Sequence, residues 1–155
     1  MIQDQLEEIK ADLKKEFAEE LCEESLAYID KANTPRELAS VLWTYMVVLA
    51  CKPIPTVEWM RKWFANNKEE LNEYGMYLDQ GGVVNNPQSN IVCFGLCNLS
   101  FNFSEPRVWN ILSYGSSTLL LNTHTICNVN VRAKDDTVAI VGSKHSGSII
   151  KIRRV

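Results

Sequence analysis

Histidine is scarce in this 155-residue chain, which holds only His124 and His145. Both sit among turn residues with no Cys, Asp or Glu at metal-ligand spacing, so no zinc centre is expected and no cofactor is implied. No stretch approaches the ~18 apolar residues of a membrane span, and the start, Met1-Ile2-Gln3-Asp4-Gln5-Leu6, lacks the basic segment and apolar run of a secretory signal. The expectation is a cytoplasmic protein without a membrane partner. The five cysteines (Cys22, Cys51, Cys93, Cys97, Cys127) are odd in number and irregular in spacing, which suits small buried hydrophobes better than a disulfide framework. Cys93 and Cys97 are expected on one face of one strand, too far apart for an unstrained bridge. Also missing are a Gly-x-Ser-x-Gly elbow, a Walker loop, a Gly-x-Gly-x-x-Gly turn and a His-Glu-x-x-His helix.

What is present is ordinary globular material, 46% hydrophobic and 23% charged, which gives no support to a disordered or collagen-like chain. The net charge of -3 hides an asymmetry. Residues 1–80 carry 9 Lys and Arg against 16 Asp and Glu, whereas residues 81–155 carry 7 against 3. The first part is rich in Ala, Leu, Lys and Glu and the second in Ser, Thr, Asn, Val and Ile, which marks a change of secondary-structure class.

In the first part, Leu6, Ile9, Leu13, Phe17, Leu21, Leu26 and Ile29 recur mostly three or four apart, predicting one long amphipathic helix. The acidic run Glu19, Glu20, Glu23, Glu24 reads as its solvated face. Thr34-Pro35-Arg36-Glu37 combines an N-cap hydroxyl, Pro at the first helical position and Glu at the third, so a second helix starts there. Its inward face is expected at Leu38, Val41, Leu42, Tyr45, Val48 and Leu49, and Lys52-Pro53 ends it. Thr56 caps a third helix with Trp59, Met60, Trp63 and Phe64, and a short turn from Lys68 to Tyr74 closes at Gly75. Trp59 and Trp63 belong either to the core, the preferred reading, or to a recognition patch.

Beyond Gly75 the period switches to 2. Residues 91–103 read as a single strand buried on both faces at first and on one face later. Shorter strands are expected at Val108 to Ser113, Leu119 to Leu121, Ile126 to Ala133, Thr137 to Val141 and Ile149 to Ile152, with polar separators about every ten residues. Ser113 to Leu119, Arg132 to Val138 and Ser143 to Ile149 share a shape, each running from a strand end through small polar residues to Thr or Ser before an aliphatic. Two architectures satisfy this pattern, a short β-solenoid, which is preferred, and an antiparallel sandwich. The segments Tyr114-Gly115-Ser116-Ser117-Thr118 and Ala133-Lys134-Asp135-Asp136-Thr137-Val138 resemble the degenerate repeats of short bacterial β-solenoids of the bactofilin type. Similar repeats occur in bacterial and prophage proteins with a helical N-terminal part. The resemblance covers roughly residues 85–155 and implies a solenoid fold and no reaction. Long N-terminal helices and few coils set this chain apart from bactofilins.

The expected fold is therefore α+β, a helical region over residues 1–80 followed by an all-β region over 81–155. The expected function is a non-enzymatic protein-interaction or structural module, with a protein partner or a second copy of itself. Trp59, Trp63, Lys151, Arg153 and Arg154 are its candidate contact surface. Lys144, Lys151, Arg153 and Arg154 also suggest a nucleic-acid accessory protein, but they are few and the acidic half opposes phosphate, so solvated charges on an edge strand are the simpler reading. A small hydrolase or transferase using Ser or Cys with His124 or His145 is the remaining alternative. Gly142-Ser143-Lys144-His145-Ser146-Gly147-Ser148 resembles a phosphate cradle but no helix follows it, so it reads as a corner of the fold.

Overall fold

The computed structural model describes residues 1–48 and 54–155, and of these Val47 and Val48 only as backbone. The chain divides into two compact units, Met1–Glu70 and Leu71–Val155. The first is helical and the second consists almost entirely of parallel strands, which makes the protein α+β with a β-solenoid.

The helical unit opens with a 3-10 turn at Ile2–Gln5, followed by α1 (Leu6–Glu16), α2 (Glu23–Lys31), α3 (Pro35–Val48), α4 (Val57–Phe64) and the start of α5 (Lys68–Asn72). The single long helix expected from Leu6 to Ile29 is instead two, α1 ending at Phe17 and α2 starting after Cys22. The apolar spacing contains the reason. Leu21 and Leu26 are five apart, a phase slip that a continuous helix cannot keep on one face. The break lets Leu21 stay buried and puts Ser25 and Ile29, not Leu26, on the inner side of α2. Cys22, expected inside, is exposed at the start of α2, where its sulfur lies 3.0 Å from Ser25 Oγ.

The second break forms as expected. Thr34 Oγ1 accepts from the Glu37 N–H at 3.1 Å, and the Glu37 carboxylate reaches back to accept from the Asn33 N–H at 2.6 Å. Along α3 the buried stripe is Leu38, Leu42 and Met46, while Val41 and Tyr45 are only partly buried. The Val48 side chain, Leu49 and the helix-ending Lys52-Pro53 lie outside the described residues.

Lys10 is buried, although its residue type favours solvent. Its Nζ donates to Glu7 Oε1 at 3.1 Å, Asp30 O at 3.1 Å and Ala32 O at 2.8 Å. Two of these acceptors are carbonyls at the C-terminal end of α2, which the helix itself leaves unpaired and where positive charge is favourable.

The solenoid unit contains β1 (Met76–Leu78), β2 (Gly81–Asn85), β3 (Asn90–Phe94), β4 (Asn98–Phe103), β5 (Val108–Tyr114), β6 (Thr118–Thr123), β7 (Asn128–Ala133), β8 (Val138–Val141) and β9 (Ile149–Arg154). Odd strands form one sheet, β1-β3-β5-β7-β9, and even strands the other, β2-β4-β6-β8. Every pairing is parallel, which excludes the antiparallel sandwich. Asn90 pairs with Asn110, Val108 with Asn128, and Thr118 with Val138, so the middle coils take 20 residues each, whereas Met76 with Val92 and Gly81 with Asn98 make the first shorter and Asn128 with Ile149 makes the last one residue longer. The ten-residue spacing of polar separators is half a coil. The single strand expected over 91–103 is bent into β3 and β4 by Gly95, whose φ is 76°.

Gly95 belongs to a repeated corner. A residue of positive φ stands directly after β1, β3 and β5, at Asp79 (43°), Gly95 (76°) and Gly115 (94°), and two residues past the end of β7, at Asp135 (55°). Where the residue is Asp, its side chain supports the next or preceding coil, Asp79 Oδ1 accepting from Leu96 N at 2.8 Å and Asp135 Oδ2 from Gly115 N at 3.0 Å. Two of the recurrent segments, Ser113 to Leu119 and Arg132 to Val138, are this corner one coil apart, whereas Ser143 to Ile149 forms the opposite corner.

Side chains from both sheets meet inside the coil. Tyr77, Phe101, Phe103 and Trp109 fill its early part, and Leu119, Leu121, Val129 and Val131 the later part. Phe103 and Trp109 rings are 4.7 Å apart, and the Trp109 indole donates to Pro87 O at 3.2 Å. On the outer faces, amides stack between coils: Asn110 Nδ2 donates to Asn90 Oδ1, Asn130 Nδ2 to Asn110 Oδ1, and Asn102 Nδ2 to Asn85 Oδ1.

Two substitutions test this account. A Cβ on Gly115 would lie 2.6 Å from Gly95 Cα, in a backbone region that L side chains avoid. Gly115→Ala is therefore expected to destabilise the chain by about 2 kcal/mol or more in urea unfolding. Lys10→Met keeps the length of the buried stem but strips three acceptors of their donor, with an expected loss of roughly 1–3 kcal/mol in the same measurement.

Candidate interaction surface

The last coil ends in two free edges, β9 in the odd-strand sheet and β8 in the even-strand sheet. Ile149 N and Val155 N donate to Cys127 O and Ala133 O on the β7 side. Parallel pairing alternates, so the N–H and C=O of Ile150, Ile152 and Arg154 point to the open side of β9. By the same alternation, Val138 N and Gly142 N bond back to Ser117 O and Leu121 O, leaving Ala139 and Val141 with outward backbone groups on β8.

The inward side chains of this coil continue the core stacks, and among the described residues of the solenoid unit no further strand pairs beyond them. Ile150 and Ala139 pack on the core and are partly buried, whereas Ile152 and Val141, in register with the buried Val131 and Leu121, are 42% and 41% exposed. The contrast within the odd-strand sheet is sharp, because all three residues of β1 are buried.

The basic residues divide into two kinds. Lys151 and Arg153 are exposed on β9, in register with Asn130 and Arg132 on the outer face of the sheet. Neither they nor Lys144 has a hydrogen-bond or ion-pair partner among the described residues. Arg154 is spent internally. Its Nη1 donates to Asp135 O at 2.7 Å and its Nη2 to Thr137 O at 2.8 Å, so it closes the final corner.

His124 Nε2 lies 3.3 Å from Asn102 Oδ1, and His145 Nδ1 accepts from Gly147 N at 3.1 Å. The imidazoles thus engage an amide and a turn. Cys93 and Cys97 do not share a strand face. The Gly95 corner brings them together, and Cys93 hydrogen-bonds Cys97, pulling the Cys97 thiol down to about 7, while burial pushes Cys93 up. Both are free thiols buried among Tyr77, Leu99 and Phe101. No cluster of three His, Cys, Asp or Glu fit to hold a metal occurs among the described residues.

Trp59 is 4% exposed and Trp63 partly buried. Their indole N–H groups both donate to Asp12 Oδ2, at 2.9 and 2.7 Å, and Lys62 Nζ reaches the same oxygen at 2.9 Å. Trp59 also packs edge-on against Phe17 and Phe64. The cluster is a joint between α1 and α4, and Trp59 is core. Hydrogen bonds from Lys62 and the indoles hold the Asp12 carboxyl below its ordinary range. A carboxylate with a depressed folded pKa contributes stability above its unfolded pKa, near 3.9, and loses it as pH falls through the folded value. The stability difference between the unmutated chain and Asp12→Asn is thus expected to be largest above about pH 5 and to shrink steadily toward pH 2, followed by thermal unfolding.

No protein-family model, curated protein or solved structure matches this chain.

Proposed function

We propose that this protein is a non-enzymatic interaction or structural module, of the kind found in bacterial and prophage β-solenoids, whose contact surface is the open end of its last coil. One observation carries the reading: among the described residues, β8 and β9 offer backbone donors and acceptors without a strand partner beside inward side chains that are partly exposed. An edge of that kind is a template for a further strand, whether from a second copy or from another protein. The resemblance of its corners to bactofilin-type repeats agrees with such a role. Arg154 leaves the contact set because its guanidinium is committed to the final corner, and Trp59 leaves it because it is core.

Ile150→Pro tests the edge directly. Its N–H faces the open side, so proline removes a donor for an incoming strand without breaking a bond to β7. Any association of the full chain in light scattering after size exclusion, with itself or with an added extended peptide, is expected to be lost in this variant, with its circular dichroism unchanged. Association that survives the substitution would put the contact elsewhere.

A further inference from the structure

We infer that the strand the β9 edge accepts is an acidic segment of another protein, alternating apolar and carboxylate side chains. This rests on the strand-addition reading above and specifies its partner. Residues 138–155 carry Lys144, Lys151, Arg153 and Arg154 and no Asp or Glu. With Arg154 occupied, three cations remain at this end, two of them on the edge strand itself.

Their placement matters more than their number. Edges guarded against indiscriminate pairing carry charged side chains, inward-pointing charge, proline or a bulge. Here the inward phase of β9 holds Ile150, Ile152 and Arg154, in register with Val129, Val131 and Ala133; the Arg154 guanidinium is turned to the final corner, and Lys151 and Arg153 stand on the outer face. Lys151 and Arg153 deter a basic or uncharged strand, while the outward backbone groups of β9 remain for one that brings carboxylates. The incoming strand thus meets isoleucines on one face and cations on the other, which asks for apolar residues alternating with Asp or Glu.

A second copy meets this demand poorly. Symmetric pairing of two β9 edges would set Lys151 and Arg153 of one chain beside the same residues of the other. Nucleic acid would satisfy the cations but would leave the alternating backbone groups and the isoleucines unused.

The probes are short, blocked, fluorescein-labelled peptides alternating valine with glutamate, threonine or lysine, together with a single-stranded oligothymidylate, followed by fluorescence anisotropy on the full chain. The glutamate peptide is expected to bind best and to weaken as salt rises, a series that needs no variant to fold. Lys151→Glu with Arg153→Glu is expected to weaken it roughly tenfold or more and to turn preference toward the lysine peptide. Ile150→Pro is expected to abolish binding of every peptide. Equal binding of the threonine and glutamate peptides would overturn the charge selection and leave strand addition standing. Failure of all peptides on the unmutated chain would remove both readings. Tighter binding of the oligothymidylate, or a dimer lost in Ile150→Pro that the glutamate peptide cannot displace, would replace the acidic strand with phosphate or with a second copy.

Discussion

The solenoid unit depends on how closely one coil can sit on the next at a single corner. Gly115 and Gly95 approach there so nearly that a methyl group on the upper residue would fall inside the backbone below it. The 20-residue spacing of the middle coils seats Gly115 on Gly95 and places the inward residues of β5 and β6 above their counterparts on β3 and β4. Were the corner to open, the parallel ladders would lose register, and with it the stacks of Ile91 on Ile111 on Val131. Asp79 and Asp135 serve the same corner where the neighbouring coil leaves room for a side chain, and they return a hydrogen bond for the strain of their conformation.

The helical unit is fastened in another way, through polar side chains placed where helices meet. Lys10 on α1 supplies the donors that the end of α2 lacks, and Asp12, two residues on, gathers two indoles and an ammonium from α4. Each group would be costly to bury alone. Together they fix the neighbours of α1 by specific geometry, which an apolar stripe by itself does not do.

Parallel coils of this kind have no means of closing on themselves. Each coil completes the hydrogen bonds and covers the side chains of the one before, so the last always leaves a debt of both. Arg154 settles part of it by capping the final corner carbonyls. The edge between the corners keeps its free backbone groups, and the isoleucines of β9 remain half covered.

Much of this was legible in the residues. The change of period at Gly75, the helix start at Thr34 and the strands from Val108 onward follow from spacing and local capping, forces that act within a few residues. The split of the first helix was visible only as a five-residue gap between Leu21 and Leu26, and the bend at Gly95 was masked by alternation that runs unbroken through the corner. The roles of Arg154 and Trp59 could not be read from the chain, since the partners of each, the carbonyls of Asp135 and Thr137 and the carboxylate of Asp12, are 19, 17 and 47 residues away. Sequence by itself determined secondary-structure class and the half-coil period, because both arise from local sterics and the side-chain alternation of a strand. Tertiary structure alone decided which cysteines meet, which arginine is spent and which edge stays open, because those depend on the register between coils.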